Sequence, residues 1–252
     1  SGHYSLQQDS KILCFEHMPS KIADWTQTVV FVPNQELLSK KDETRIKYET
    51  KLKYILCKSE YATTIFEAFK AKHQCAWSVI NFSFPPISKE PLFTHAKDRS
   101  IFLHSAGFSW MKNTRLVVDT WRDHPEWPTL LVSCTDMCAQ IHGTLGKDAH
   151  NILIYNFFEK TQIQELQKHA GYCVFPSACE GFGHSLYEAM SNGNLLITGN
   201  IPPTNEAINA TNAVMIPSYK RNRLGSANHN MDFVKNLSTA FGDAGSACFE
   251  FR

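Results

Sequence analysis

Apolar positions in this chain gather into short runs rich in branched residues, separated by stretches whose apolar residues recur at helical spacing. KILCFE (11–16), TVVFVP (28–33), KYILCK (53–58) and AWSVINF (76–82) are each too short for a helix and predict buried strands. Between the last two, Tyr61, Ile65, Phe66 and Phe69 repeat with a helical period behind Ser59 in the N-cap position, so Glu60 to Lys72 predicts a helix. Asp42 to Leu52 predicts a second, more polar one. Then SFPPISKEPLF (83–93) interrupts the pattern with Pro85, Pro86 and Pro91. Proline continues neither a helix nor an inner strand, so this is the expected linker, and the expected domains are 1–92 and 93–252.

Beyond Ser100 the alternation is more regular. Strands are predicted at IFLHS (101–105), TLLVSC (129–134), NILIYN (151–156), YCVF (172–175), NLLIT (194–198) and AVMIP (213–217). Helices are predicted over Thr114 to Arg122, near 137–144, over Glu159 to His169 and over His184 to Ser191. Strand alternating with helix predicts a parallel sheet covered on both faces. Two such units predict two sheets facing a cleft, with ligands beyond the carboxyl ends of the strands. The tail from Tyr219 to Gly245, including KRNR (220–223), is weakly patterned and reads as a solvated loop or, alternatively, as a phosphate contact.

Composition narrows the function by exclusion. At 252 residues and 43% apolar the chain can bury a proper core, and a net charge of +1 gives no general attraction to nucleic acid or an anionic membrane. No run reaches the roughly 20 apolar residues of a membrane span, and no signal peptide opens the chain. The eight cysteines are scattered, several within predicted strands, so reduced thiols and a cytoplasmic setting are expected. Cys134 and Cys138 lack the second pair that a zinc knuckle needs. Ser1-Gly2 reads as a protease scar, which makes a larger multidomain chain the expected context.

The chemistry concentrates in FPSACEGFGHSLYEAMSNGNLLITGNIPPTNE (175–206). A strand breaks at Pro176-Ser177, crosses a glycine-bounded turn and becomes a helix near His184, with Glu180 before the helix and Glu188 on its second turn. A helix start offers unpaired N–H groups and partial positive charge to an anion. Carboxylates there would repel a bare phosphate but accept hydrogen bonds from hydroxyls, so a nucleotide-sugar suits the site better. In LHSAGFSWMKNTRLVVDTW (103–121), a strand ends at Gly107 and Lys112 arrives just before a helix expected to be capped by Asn113. That arrangement suits a diphosphate, although a solvated lysine is the other reading. The glycine, lysine and Ser/Thr spacing of a nucleoside triphosphatase loop is absent.

EGFGHSLYE (180–188) resembles the retaining glycosyltransferases of family four, with the GT-B fold, whose donor domain carries two glutamates separated by seven residues. FLHSAGFSWMKNT resembles their donor-phosphate loop, and PNQE (33–36) and LCKS (56–59) resemble a subgroup met in fungi and large DNA viruses. The resemblance runs through most of 28–217. It implies an α/β GT-B-like fold of two Rossmann-type units, the N-terminal one reduced. It implies that Glu188 accepts from the ribose hydroxyls and that Glu180 holds a sugar hydroxyl. Backbone N–H groups of Phe182, Gly183 and His184 would bind sugar or diphosphate beside Gly107, and Lys112 would neutralise the leaving nucleotide. His17, after the first strand, would face the reacting sugar, and Asn34 and Glu36 follow the second strand in the equivalent place. His104 is expected in the core, and Trp110 in the loop, where it packs or stacks on a sugar or base. The sequence departs from the family after Gly107, where Phe108, Ser109 and Trp110 replace the usual basic residue. Phosphate binding would then rest on Lys112, or on Arg115, Lys220 or Arg221.

The expectation is a retaining glycosyltransferase that moves a sugar from a UDP- or GDP-linked donor to a glycan hydroxyl, with no metal and no further cofactor. Its partners would be that donor and a glycan acceptor, with no nucleic acid and no membrane span, in the host cytoplasm if the chain is viral. A non-catalytic nucleotide-sugar or glycan binding domain is the alternative. A nucleotide-dependent dehydrogenase lacks its early GxGxxG turn here.

Overall fold

The computed structural model describes residues 11–18, 28–82, 96–135, 141, 149–156, 159–216, 222–224 and 227–229. The predicted helix near 137–144 and the proline linker lie outside these residues, Ile141 excepted. The chain divides into two compact units, one formed by 1–85 with 223–228 and the other by 86–222 with 229–252.

In the first unit, strands β1 (Lys11–Glu16), β2 (Thr28–Pro33), β3 (Leu52–Cys57) and β4 (Ser78–Asn81) form a parallel sheet in that order. Helix α1 (Lys40–Tyr48) joins β2 to β3, and α2 (Glu60–His73) joins β3 to β4. Helix α1 starts two residues before the predicted Asp42, because Ser39 closes a capping box with the Asp42 side chain. It stops at Tyr48, and Leu52 opens β3 instead of ending a helix. Ser59 caps α2 as expected, accepting from the Ala62 N–H at 3.1 Å. The buried side of the sheet holds Cys14, Val29, Phe31, Ile55 and Cys57 against Ile46, Ala62 and Phe66.

On the opposite side Leu13, Phe15, Tyr54 and Ile80 are exposed, which corrects the reading of these strands as wholly buried. The strand order is the reason. Each parallel crossover is right-handed, and an order that advances in one direction places every crossover helix on the same face.

The second unit obeys the two-sided rule. Strands β5 (Asp98–Gly107), β6 (Thr129–Cys134), β7 (Ile152–Asn156), β8 (Ala170–Phe175), β9 (Leu195–Gly199) and β10 (Ala213–Ile216) form a parallel sheet in the order β10-β9-β8-β5-β6-β7. Helix α3 (Thr114–Arg122) follows β5, α4 (Lys160–His169) precedes β8 and α5 (His184–Ser191) follows it. The chain runs outward from β5 through β6 to β7, then returns to the other side of β5 and runs outward again. The crossover helices therefore change faces at the β5–β8 boundary. Phe102, Leu130, Val132, Tyr172, Val174 and Ile197 pack with Val117, Val118 and Trp121 of α3. Their neighbours in sequence, Leu103, Leu131, Cys173, Phe175 and Leu196, pack with Leu186 and Ala189 of α5. Strand β5 outruns its predicted five residues because both edges are paired: Asp98 lies opposite Ala170 and Gly107 opposite Cys134. Strands β11 (Asn222–Leu224) and β12 (Ala227–His229) pair with each other in a stretch whose sequence predicts none.

Cysteine chemistry is mixed. Cys14, Cys57, Cys75, Cys173 and Cys179 are free, and burial pushes the Cys57 thiol up to about 12 and the Cys173 thiol up as well, so both are inert packing groups. Cys134 is disulfide-bonded, which corrects the expectation of reduced thiols throughout. Among the described residues no helix is long and apolar enough to cross a membrane.

Candidate functional site

The second sheet reverses direction between β5 and β8, and in parallel α/β sheets such a switch point is where the carboxyl ends of the strands open a place for a ligand. Two connections leave that boundary, 107–113 into α3 and 176–183 into α5. They are tied together. The Ala178 N–H donates to the Met111 carbonyl at 2.8 Å, and Asn113 Nδ2 donates to the Pro176 carbonyl at 2.7 Å. Between them Lys112 Nζ meets Glu180 Oε1 at 2.5 Å, with the two side chains only 16% and 9% exposed, and Ser185 Oγ stands 3.5 Å from the same nitrogen.

Backbone conformation explains much of this. Gly107 ends β5 with φ +57, where its carbonyl accepts from the Thr135 N–H and hydroxyl. Asn113 adopts φ +54, a left-handed conformation that asparagine tolerates better than most residues. It therefore does not cap α3 with its side chain as expected, and its amide reaches across to Pro176 instead. Gly183 starts α5 with φ +91, and a Cβ there would lie 2.8 Å from Thr204 Cγ2, so both torsion and space require glycine. Phe182 and His184 flank it, with the Phe182 ring 4.8 Å from that of Tyr187 and 4.9 Å from that of His184.

Beneath the lysine, His104 is fully buried on β5, as expected of a core residue. Its Nδ1 lies 2.8 Å from the Val174 carbonyl, which can only accept, so Nδ1 carries the proton. Nε2 then accepts from the Thr114 hydroxyl at 3.0 Å. Burial, helped by the nearby Lys112 charge and opposed by the Val174 hydrogen bond, lowers the ring to about 4. The neutral ring thus joins β5, β8 and the first residue of α3.

Glu188 occupies the second turn of α5 as predicted, and it is paired with Lys160 at 3.1 Å across a largely exposed contact. Such surface pairs are weak, typically about 0.2–1 kcal/mol, and exchange readily for a ligand. Arg115, one of the substitutes expected for the missing basic residue, is engaged with Asp119 at 2.9 Å on α3. Lys220 and Arg221 lie outside the described residues. Phe108 and Trp110 project outward from the loop. Sequence reasoning missed Ser185 and the two hydrogen bonds that tie the loops together. Only Asn113 carried a signal, its tolerance of left-handed backbone.

In the first unit, the carboxyl edge of the sheet is polar. Glu16 ends β1 with φ +63, its carboxylate accepts from Asn34 Nδ2 at 2.9 Å, and Asn34 Oδ1 accepts in turn from Lys58 Nζ. Burial lowers Lys58, opposed by the charges of Glu36 and Glu16. His17 follows Glu16, with Nδ1 3.7 Å from Asp42 Oδ2 and a side chain 64% exposed. Among the described residues, no three His, Cys, Asp or Glu side chains gather as a metal site requires.

Two parallel α/β units, the second with its polar constellation at a switch point, define the GT-B class of fold. Solved structures agree. The pneumococcal O-GlcNAc transferase GtfA, in complex with UDP and GlcNAc, has a TM-score of 0.64 over 86% of this chain and 46% of its own, at 13% identity. A mutant of S. aureus TarM, in complex with Fondaparinux, α-GlcNAc-glycerol and UDP, scores 0.63 over 85% and 44% at 15% identity. The UDP-forming α,α-trehalose-phosphate synthase of Burkholderia xenovorans scores 0.68 over 98% and 67% at 11% identity. The chain spans less than half the length of the first two. No curated protein matches its sequence. Residues 93–227, more than half of the chain, match the family of glycosyl transferases group 1, and the chain belongs to that family.

Proposed function

We propose that this chain is the working part of a retaining glycosyltransferase that moves a sugar from a UDP- or GDP-linked donor to a glycan hydroxyl without a metal ion. The observation that carries the reading is the largely buried Lys112–Glu180 pair at the β5–β8 switch point, beside the glycine start of α5. A cation for phosphates and a carboxylate for hydroxyls stand there within reach of one ligand that carries both.

In this reading the donor diphosphate lies against Lys112, the Gly107 turn and the N–H groups of Phe182, Gly183 and His184 at the entry to α5. Glu180 accepts from a hydroxyl of the sugar and Glu188 from the ribose. The bond from the anomeric carbon to the diphosphate breaks, and the acceptor oxygen bonds to that carbon on the same face. The acceptor proton passes to the departing phosphate oxygen. Lys112 and the helix dipole stabilise the charge that develops, the role a metal fills elsewhere. Neither glutamate transfers a proton, in contrast to the carboxylate pair of glycoside hydrolysis. For His17 we propose a contact with the reacting sugar, resting on the family resemblance, and for Glu16, Asn34, Glu36 and Lys58 contacts with acceptor hydroxyls.

Release of UDP or GDP from a donor panel, with and without acceptor glycans, tests the reading. Acceptor-dependent release is expected, with slow donor hydrolysis in its absence. Tight donor binding with neither would make the chain a binding domain. Glu188→Ala should weaken nucleotide binding, whereas Glu180→Ala should lower turnover more than donor affinity. Wild-type behaviour of both variants would remove these residues from the site.

A further inference from the structure

The closeness of Lys112 and Glu180 implies more than a place for the donor. We infer that Glu180 competes internally with the diphosphate for Lys112, and is thereby the residue that distinguishes the sugar-bearing donor from the spent nucleoside diphosphate. This rests on the functional reading above.

Two long side chains that meet at a surface usually reflect chance geometry, but these two do not. Their loops are joined by the Ala178–Met111 and Asn113–Pro176 hydrogen bonds, so the backbones that present them are held at a set separation. Both side chains are largely buried, where Coulombic attraction is much stronger than in water. A ligand that needs Lys112 must draw it from Glu180 by side-chain rotation against that attraction.

The donor and the product then differ in what they return. A nucleotide-sugar offers Lys112 its phosphates and offers Glu180 a sugar hydroxyl, so both partners regain a charge-assisted contact. The free nucleoside diphosphate offers only phosphates. Glu180 is left partly desolvated beside a like charge, with its strongest counter-ion turned away, and that arrangement is costly. The carboxylate thus weakens product binding relative to donor binding and favours release after transfer. Its charge matters for this, and its hydrogen-bonding shape does not.

Glu180→Gln separates the two properties, because the amide retains the shape and an acceptor oxygen but not the charge. Titration calorimetry would measure UDP, GDP and the parent nucleosides against wild type, Glu180→Gln, Lys112→Met and the double variant. Whichever diphosphate binds wild type should bind Glu180→Gln about tenfold tighter, the scale of one charge-assisted hydrogen bond. Its nucleoside should bind unchanged, and the gain should shrink in the Lys112→Met background, where only the repulsion between Glu180 and the diphosphate is left to relieve; an undiminished gain there would overturn the competition for Lys112. Glu180→Ser removes the carboxylate with less bulk and decides the matter if the amide variant does not fold. Equal or weaker diphosphate binding by the variant, where wild type binds, would overturn this inference alone. If wild type binds neither diphosphate, the functional reading fails and takes the inference with it.

Discussion

Lys112 and Glu180 stand 68 positions apart in sequence and share a hydrogen bond. If Lys112 stabilises the leaving diphosphate as proposed, it contributes mainly in the transition state, and Lys112→Ala should lower turnover by about 100- to 1,000-fold in a nucleotide-release assay. Gly183 makes a separate prediction. Gly183→Ala carries two penalties, the left-handed torsion and the 2.8 Å approach to Thr204 Cγ2, and should cost about 1–3 kcal/mol in urea unfolding. Adding Thr204→Ser deletes the clashing methyl and keeps the hydroxyl that donates to the Ile201 carbonyl, so it should restore part of the loss. No recovery would mean that the torsion alone sets the cost. Of these residues, Glu180 and Lys112 were legible as chemistry in the sequence, whereas their pairing was not. Nothing local in sequence specifies a contact across that separation.

At the scale of elements, the β5–α3 connection is anchored by a neutral histidine. The His104 ring is held at about 4 by burial, against an ordinary value near 6.5 in the unfolded chain. The folded state therefore binds this proton less readily than the unfolded state. Its contribution is fully present above about pH 6.5 and declines as pH falls towards about 4, by up to about 3 kcal/mol. Urea unfolding at a series of pH values should show that decline in wild type, and His104→Phe should flatten it. Identical slopes would mean that the ring is not held neutral. The same connection shows how far periodicity reaches. Helix α3 runs over Thr114–Arg122 as its spacing predicts, but its entry is set by Asn113 in a left-handed turn that bonds to another loop. The predicted start of α1 failed for a local reason, the Ser39–Asp42 capping box.

For the whole molecule, the proposed mechanism has Lys112 and helix N–H groups stabilise the leaving charge in place of a metal, so EDTA should leave nucleotide release within about twofold of the untreated rate, a change in barrier below about 0.5 kcal/mol. Complete loss on chelation would contradict metal independence. Binding of the cognate nucleotide should also raise the melting temperature in a concentration-dependent way, because a ligand that binds only the folded state stabilises it by mass action. UDP and GDP compared in this way would identify the base.

The alternation of strand and helix, the core-facing residues of each strand in the second unit and the carboxylate–glycine turn before α5 all follow from local pattern, since side-chain period and turn chemistry are properties of neighbouring residues. Strand order does not. One order advances in a single direction and leaves Leu13 and Phe15 outside, while the other reverses between β5 and β8 and buries both faces. That difference arises from which strands pair across long intervals of chain, and only the tertiary structure decides it. The reversal brings the ends of β5 and β8 side by side, and with them a lysine and a glutamate that the sequence marks separately and the fold makes into one site.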